Sequence, residues 1–268
     1  MNSLINALLI GSLLVTTTAQ SDELLPIVAH RGASHAAPEN TLPAFDLAWQ
    51  EGADWIEGDF RLTADGTIVC IHDGSTKRTS DKNITVASAT AEKLNHLDVG
   101  QWFRPTFSGT RIPTLTQVLQ SIPKEKGIFI EIKSGPEIVP ELLRVVDQSD
   151  LSPSHFRIIC FNSNVISAIS KQRPTWPTTL LSGLKGRPGA WSPAPAELAA
   201  KAKACGADAV GVDGRRGDAT YFTTLQKLIP YHAWTIDDSK RAKLLIEWGV
   251  QSITTNRPAA MRNGLTTP

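Results

Sequence analysis

From Ile27 onward, short apolar runs alternate with stretches whose apolar residues recur at helical spacing. The runs predict strands at Ile27–Gly32, Trp55–Asp59, Gly127–Lys133, Phe156–Phe161, Thr178–Ser182, Ala209–Asp213, His232–Ile236 and Gln251–Thr255. The helical spacing falls on Leu42–Glu51, Leu115–Ile122, Glu137–Gln148, Val165–Lys171, Ala196–Ala204, Tyr221–Leu228 and Ser239–Trp248. Regular alternation of this kind is the pattern of a parallel α/β sheet. Eight strands with helices between them, at this length, predict a (β/α)8 TIM barrel. A doubly wound open sheet is the alternative. It is weakened because no glycine-rich phosphate loop follows the first strand.

One segment breaks the alternation. Phe60 to Val69 reads as a hairpin with Asp65-Gly66 at its tip. The turn brings positions near 59 and 71 face to face, so Glu57 and Asp59 are expected near His72. The hairpin is expected as an excursion above the barrel mouth. A small inserted subdomain, residues 74–112, follows the second strand and its hairpin, because so long a polar stretch exceeds a plain loop. It holds a helical segment at Thr90–Leu97 and the aromatic pair Trp102-Phe103. Gly183–Pro195 reads as a long loop after the fifth strand.

The chain has 268 residues, enough for one large domain, assigned to residues 26–268. A net charge of +1 argues against a nucleic-acid partner, which would need a basic face. Lys201/Lys203 and Lys240/Arg241/Lys243 read as solvated helix faces. Cys70, Cys160 and Cys205 have no metal or disulfide spacing and read as small buried hydrophobes. At the N-terminus, Leu4–Val15 is apolar and Thr16-Thr17-Thr18-Ala19 offers small residues for cleavage. The run is short for a bilayer span and suits a signal peptide over residues 1–19, although no Lys or Arg precedes it. A periplasmic or secreted mature chain without a transmembrane span is the expectation. The rival reading is a disordered or surface-packed N-terminal segment.

The chemistry-bearing residues gather where predicted strands end: His30-Arg31-Gly32, Glu57-Gly58-Asp59, His72-Asp73 and Glu131-Ile132-Lys133. Positions i and i+2 of a strand share a face, so Glu57 projects with Asp59 and Glu131 with Lys133. Barrel active sites form at the carboxyl ends of the strands. Three carboxylates in one mouth repel each other and any anionic substrate. A hard divalent cation, Mg²⁺ or Ca²⁺, removes that penalty. Arg31 and Lys133 remain to hold phosphate oxygens. His30 and His72 supply a proton donor and a proton acceptor near neutral pH. Each motif alone is more often a solvated strand face than a site; their convergence carries the reading. Trp234 can pack against substrate or fill the core. His35 and Glu39 lie in the first loop, where Glu39 is expected to tie the loop to the following helix. His96, His155 and His232 read as structural, and neither Phe161 nor Asp213 is assigned a role.

Taken together, His30-Arg31-Gly32 with Pro38-Glu39-Asn40-Thr41, Glu57-x-Asp59, Asp65-Gly66, His72-Asp73 and Glu131-Ile-Lys133 resembles the glycerophosphodiester phosphodiesterase family. Ile112-Pro113-Thr114-Leu115 and Ala233-Trp234-Thr235 add to the likeness, which runs from about Ile27 to Pro258. The resemblance implies a (β/α)8 barrel with an inserted small subdomain. It implies Glu57, Asp59 and Glu131 as metal ligands, His30 and His72 as the acid/base pair, and Lys133 on phosphate. The implied reaction cleaves glycerophosphodiesters, such as glycerophosphocholine or glycerophosphoethanolamine, to glycerol 3-phosphate and an alcohol. The alternatives are a lysophospholipase D or sphingomyelinase-D-like enzyme on lipid diesters, and a non-catalytic secreted binding protein. One departure is visible: Asn256 stands where the family commonly has Asp.

Overall fold

The structure, a computed structural model, describes residues 25–267. The signal-peptide expectation for residues 1–19 lies outside the described residues. Among the described residues, no helix is long and apolar enough to cross a membrane.

The barrel begins with β1 (Ile27–His30), α1 (Leu42–Gln50) and β2 (Trp55–Leu62), from which the chain turns back into β3 (Ile68–Cys70). The inserted stretch carries α2 (Ala91–Asn95) and leads to α3 (Leu115–Gln120). Strand–helix pairs follow: β4 (Gly127–Ile132) with α4 (Val139–Asp147), and β5 (Phe156–Cys160) with α5 (Ser163–Gln172). After β6 (Thr178–Ser182) comes a small hairpin, β7 (Lys185–Arg187) and β8 (Ala190–Ser192), then α6 (Pro195–Cys205). The last turns are β9 (Ala209–Asp213), α7 (Ala219–Leu228), β10 (Tyr231–Trp234), α8 (Ser239–Glu247), β11 (Ile253–Thr255) and α9 (Pro258–Thr266).

The parallel strands run in the order β1, β2, β4, β5, β6, β9, β10, β11, and β1 pairs with both β2 and β11, which closes the barrel. Alternation along each strand then divides the residues. Ile56 and Phe60 of β2 join the main core under the helices, together with Phe45 and Ala48 of α1. Inside the barrel, Val28, Phe129, Ile159 and Leu181 form an apolar layer, flanked by Trp55 and Trp234. The same alternation turns Glu57, Asp59 and Glu131 inward, above that layer.

Three differences from the sequence reading have physical causes. First, β2 does not stop at Asp59. It runs on to Leu62, pairing Phe60 with Ile132 of β4 and with Cys70 of β3, so barrel strand and hairpin arm are one element. Ile71 N–H donates to Asp59 C=O at 2.8 Å, which brings the return arm opposite the carboxylates as the turn implied. Second, β1 ends at His30 because Arg31 (φ 57°) and Gly32 (φ 81°) are left-handed. A Cβ at Gly32 would lie 2.5 Å from the carbonyl carbon of Ala44 in α1, so only glycine fits this turn. Third, Gly183–Pro195 contains the β7–β8 hairpin rather than loop alone. The stretch after Gly74 builds a separate apolar cluster, with Val86, Leu94, Leu97, Val99 and Ile112 packed on Val69 and Ile71 of the return arm.

Candidate active site

At the carboxyl ends of the strands, His30 lies beside Glu57 and Asp59 beside Glu131 in the ladder register. One oxygen from each of Glu57, Asp59 and Glu131 falls within 4.8 Å of the others. All three residues are buried. Glu57 Oε2 accepts the backbone N–H of Arg31 at 2.9 Å, and that bond helps hold Arg31 in its left-handed conformation. Asp59 is clamped by Asn40, whose Nδ2 donates to Oδ2 at 2.8 Å and whose Oδ1 accepts the Asp59 N–H at 3.0 Å. Asn40 also has positive φ (58°), a conformation Asn tolerates better than most residues. The Asn of Pro38-Glu39-Asn40-Thr41 is therefore a carboxylate holder, a role the sequence motif did not reveal.

The cations are arranged around these acids. Lys133 Nζ lies 3.2 Å from Asp59 Oδ1 and pairs closely with Glu131. Arg31 Nε lies 3.0 Å from Asp59 Oδ2, and its Nη1 donates to Glu39 at 2.9 Å. This balance is incomplete. Among the described residues nothing hydrogen-bonds to the buried Glu57 Oε1, and the buried Asp59 Oδ1 and Glu131 Oε1 share a single cation, Lys133. Burial, then the charges of Asp59 and Glu131, drives the Glu57 carboxyl well above its ordinary value. Burial and the Asp59 charge push Glu131 up to about 7, against the pull of Lys133. Asp59 goes the other way: burial opposes ionisation, but Arg31 and Lys133 more than offset it. A divalent cation fits this donor set. It would take a hard oxygen from each of the three acids and remove the repulsion that raises two of them.

The two histidines are held differently. His72 Nδ1 meets Asp73 Oδ1 at 2.6 Å; Asp73 Oδ2 accepts from Arg78 Nε at 2.8 Å. Arg78 grips Glu39 with both Nη atoms, at 2.7 and 2.8 Å. Glu39 thus bridges Arg31 and Arg78 rather than tying the loop to the start of α1. His30 Nδ1 meets Asn256 Oδ1 at 2.7 Å. Burial, reinforced by the neighbouring Arg31 cation, lowers His30 to about 4. Arg61 was not visible as a site residue in the sequence. Its guanidinium donates to the carbonyls of His72 (2.8 Å) and Lys133 (2.9 Å), pinning the two chain ends that deliver those side chains.

A cavity of about 190 Å³ opens among these groups. One wall carries His30, Arg31, Glu57, His72, Glu131 and Lys133; the other carries Ile159, Phe161, Leu181 and Trp234. Every residue singled out for the site therefore reaches this cavity except Asp59, which stands behind Arg31 and Lys133. Phe161 and Trp234 pack edge to face, 5.5 Å between centroids, and Phe161 is about half exposed. The remaining histidines are elsewhere or fully engaged. His232 is bonded through both ring nitrogens, His155 contacts Ser152, His96 closes α2, and His35 Nδ1 meets the Asn256 carbonyl. Trp102, Phe103 and Trp191 exposed together near the mouth would favour the lipid-diester alternative. Instead Trp102 pairs with Phe103 in the insertion, while Trp191 packs on the barrel core and donates to Asp218 at 2.7 Å.

Comparison with known proteins agrees with this geometry. Residues 30–260 match the model of the glycerophosphoryl diester phosphodiesterase family. A glycerophosphodiester phosphodiesterase of Caldanaerobacter subterraneus subsp. tengcongensis is 32% identical over 250 residues, covering 88% of this chain and 96% of that one. Among solved structures, a phosphodiesterase of Oleispira antarctica in complex with the product sn-glycerol-3-phosphate superposes with a TM-score of 0.81 at 24% identity, covering 91% of this chain and 98% of that one. The glycerophosphodiester phosphodiesterase of Agrobacterium tumefaciens gives a TM-score of 0.73 at 26% identity, covering 90% of this chain and 100% of that one. With its barrel, its acidic mouth and its match over residues 30–260, the chain belongs to the glycerophosphoryl diester phosphodiesterase family.

Proposed function

We propose that this enzyme hydrolyses glycerophosphodiesters to glycerol 3-phosphate and an alcohol, with one divalent cation held by Glu57, Asp59 and Glu131. The observation that carries the reading is the trio of buried carboxylates, one oxygen of each lying within 4.8 Å of the others. Family membership and the glycerol-3-phosphate complex of the Oleispira relative support the substrate class. When bound, the cation polarises the phosphoryl group and offsets its developing charge; all-oxygen ligation suits Mg²⁺ or Ca²⁺.

The chain's own side chains do the rest. Lys133 and Arg31 line the polar wall and hold phosphoryl oxygens, Arg31 through its planar fork. One of His30 and His72 takes the proton of the nucleophile, water or the neighbouring glycerol hydroxyl. The other protonates the leaving alkoxide. Trp234, with Phe161, offers an apolar face against the glycerol or the departing alcohol. The test is glycerophosphocholine turnover, read as glycerol 3-phosphate and choline release, before and after chelation. Turnover abolished by chelator and restored by Mg²⁺ or Ca²⁺ supports the reading. Release of phosphocholine in place of choline would contradict it.

A further inference from the structure

Asn256 follows β11 and sits at the centre of a small network. Its Nδ2 donates to Asp237 Oδ2 at 2.7 Å, and its backbone N–H donates to Asp237 Oδ1 at 2.7 Å. Thr255 Oγ1 adds a third donor to the same carboxylate at 2.9 Å. On its other side, Asn256 Oδ1 accepts from Ser34 Oγ at 3.0 Å and meets His30 Nδ1 at 2.7 Å. The two ends of an amide are usually hard to tell apart, but here chemistry distinguishes them. Asp237 is a carboxylate and only accepts, so the amide nitrogen must face it. The amide oxygen must then face His30, and an oxygen can only accept. Nδ1 of His30 therefore carries the proton.

We infer that Asn256, oriented by Asp237, is a positioning residue that holds His30 as the Nδ1–H tautomer and leaves Nε2 bare. The inference rests on the proposed acid/base reading and deepens it. Among the described residues nothing hydrogen-bonds to Nε2, and His30 lines the cavity. His30 accordingly enters the reaction as the acceptor. The nucleophile's O–H bond breaks, its proton goes to Nε2, and the electron pair of that oxygen forms the bond to phosphorus, while the P–O bond to the leaving alcohol breaks and its oxygen takes a proton from His72. Nδ1–H stays on Asn256, with the negative charge of Asp237 behind the amide. A carboxylate at position 256 would place that charge directly against the ring; here it is one residue removed.

The test is the ring ¹⁵N spectrum of histidine-labelled, Mg²⁺-loaded full-length protein, with His30 assigned by its loss in His30→Gln. The expected result is a protonated Nδ1 and an unprotonated Nε2; a proton on Nε2 overturns the inference. In Asn256→Leu, His30 should spread over both tautomers and kcat should fall about 10–100-fold, the scale for losing a partner that orients a functional histidine, with KM little changed. The double variant Asn256→Asp/Asp237→Asn exchanges amide and carboxylate and should restore the Nδ1–H tautomer and most of kcat. An Asn256→Leu protein with the wild-type spectrum and kcat would sink the positioning role. The wild-type spectrum, assigned through His30→Gln, decides even if neither Asn256 variant folds. Failure of the wild type to turn over any glycerophosphodiester would count against the functional reading, while the spectrum judges the tautomer separately.

Discussion

The barrel interior buries ionisable side chains toward both of its ends, and treats them in opposite ways. Toward the amino end, His232 has both ring nitrogens matched, by Ser252 Oγ and Thr254 Oγ1 at 2.7 Å each. Phe129 covers its ring with centroids 5.0 Å apart, and Arg157 nearby donates to Thr179 at 3.2 Å. Burial, then the Arg157 cation, pushes His232 down to about 3 and keeps it neutral. At the carboxyl end, three buried acids lie together with only Lys133 and Arg31 set against their charges, and among the described residues nothing hydrogen-bonds to Glu57 Oε1. A buried polar group with every partner in place is part of the scaffold; buried like charges left unmatched mark a site. Residue type does not separate the two cases. The unfilled hydrogen-bonding capacity does.

The sharpest way to break that contrast is to remove one unmatched acid. Glu131→Gln should cost activity on the order of 10³-fold, as loss of a group that holds the charge-stabilising element of a site. Its stability should move the other way. The folded value of Glu131 is raised to about 7, so between its unfolded value and pH 7 the folded metal-free protein binds more protons than the unfolded chain. The contribution of Glu131 to the stability of the metal-free wild type should therefore fall as pH rises from about 4.5 to 7. The Glu131→Gln protein should lose part of that slope. Urea titrations in chelator across this range measure it, and an unchanged slope would count against unrelieved repulsion at the mouth.

Next in size are the histidines. His30→Ala and His72→Ala should each lose about 10²–10⁴-fold in kcat, with fold and metal binding intact by circular dichroism and calorimetry. A p-nitrophenyl ester leaves without protonation. It should rescue His72→Ala and not His30→Ala if His30 is the acceptor. Rescue of the opposite variant would reverse the roles.

Arg78 tests whether the insertion supports the site. Its guanidinium joins Asp73, beside His72, to Glu39, beside Arg31. Arg78→Gln should lower kcat about tenfold, in the range for losing a partner that orients a functional histidine, without lowering the metal affinity. Full activity in that variant would show that His72 needs no help from the insertion.

The smallest effect on chemistry belongs to His232. His232→Gln should leave kcat within about twofold and cost about 1–3 kcal/mol in stability through the hydroxyls it leaves unpaired. The folded value of His232 lies near 3, below its unfolded value, so its contribution to wild-type stability should drop as pH falls below about 6.5. His232→Gln should show a shallower acid slope. The two ends of the barrel thus predict pH dependences of opposite sign.

Much of this arrangement was legible beforehand, for definite reasons. Apolar runs at strand length marked seven of the eight barrel strands within a residue or two, and the start of β2, because parallel strands are covered on both faces. The i, i+2 rule placed Glu57 with Asp59, and the turn at Asp65-Gly66 placed both near His72. What escaped were the polar partners supplied from a distance. Arg61 reaches two carbonyls, one of them 72 residues away, and Asp237 orients Asn256 across 19 positions. Arg78 lies in a polar insertion where nothing local marks it off from other exposed arginines. Such contacts depend on closure of the barrel, which no local pattern encodes. The continuity of β2 into its hairpin was missed for a related reason: Phe60 pairs with both β3 and β4, and only the second pairing is a barrel contact.

The central claim is that the unmatched acids at the carboxyl mouth are a metal site on which activity depends. Its most direct measurement is glycerophosphocholine turnover by full-length protein stripped of metal, followed as Mg²⁺ or Ca²⁺ is titrated back and binding is read by calorimetry. The stripped protein should show no turnover, bind one ion per chain and gain activity in step with occupancy, and Glu131→Gln should lose both. Full turnover by protein shown to be metal-free would contradict it.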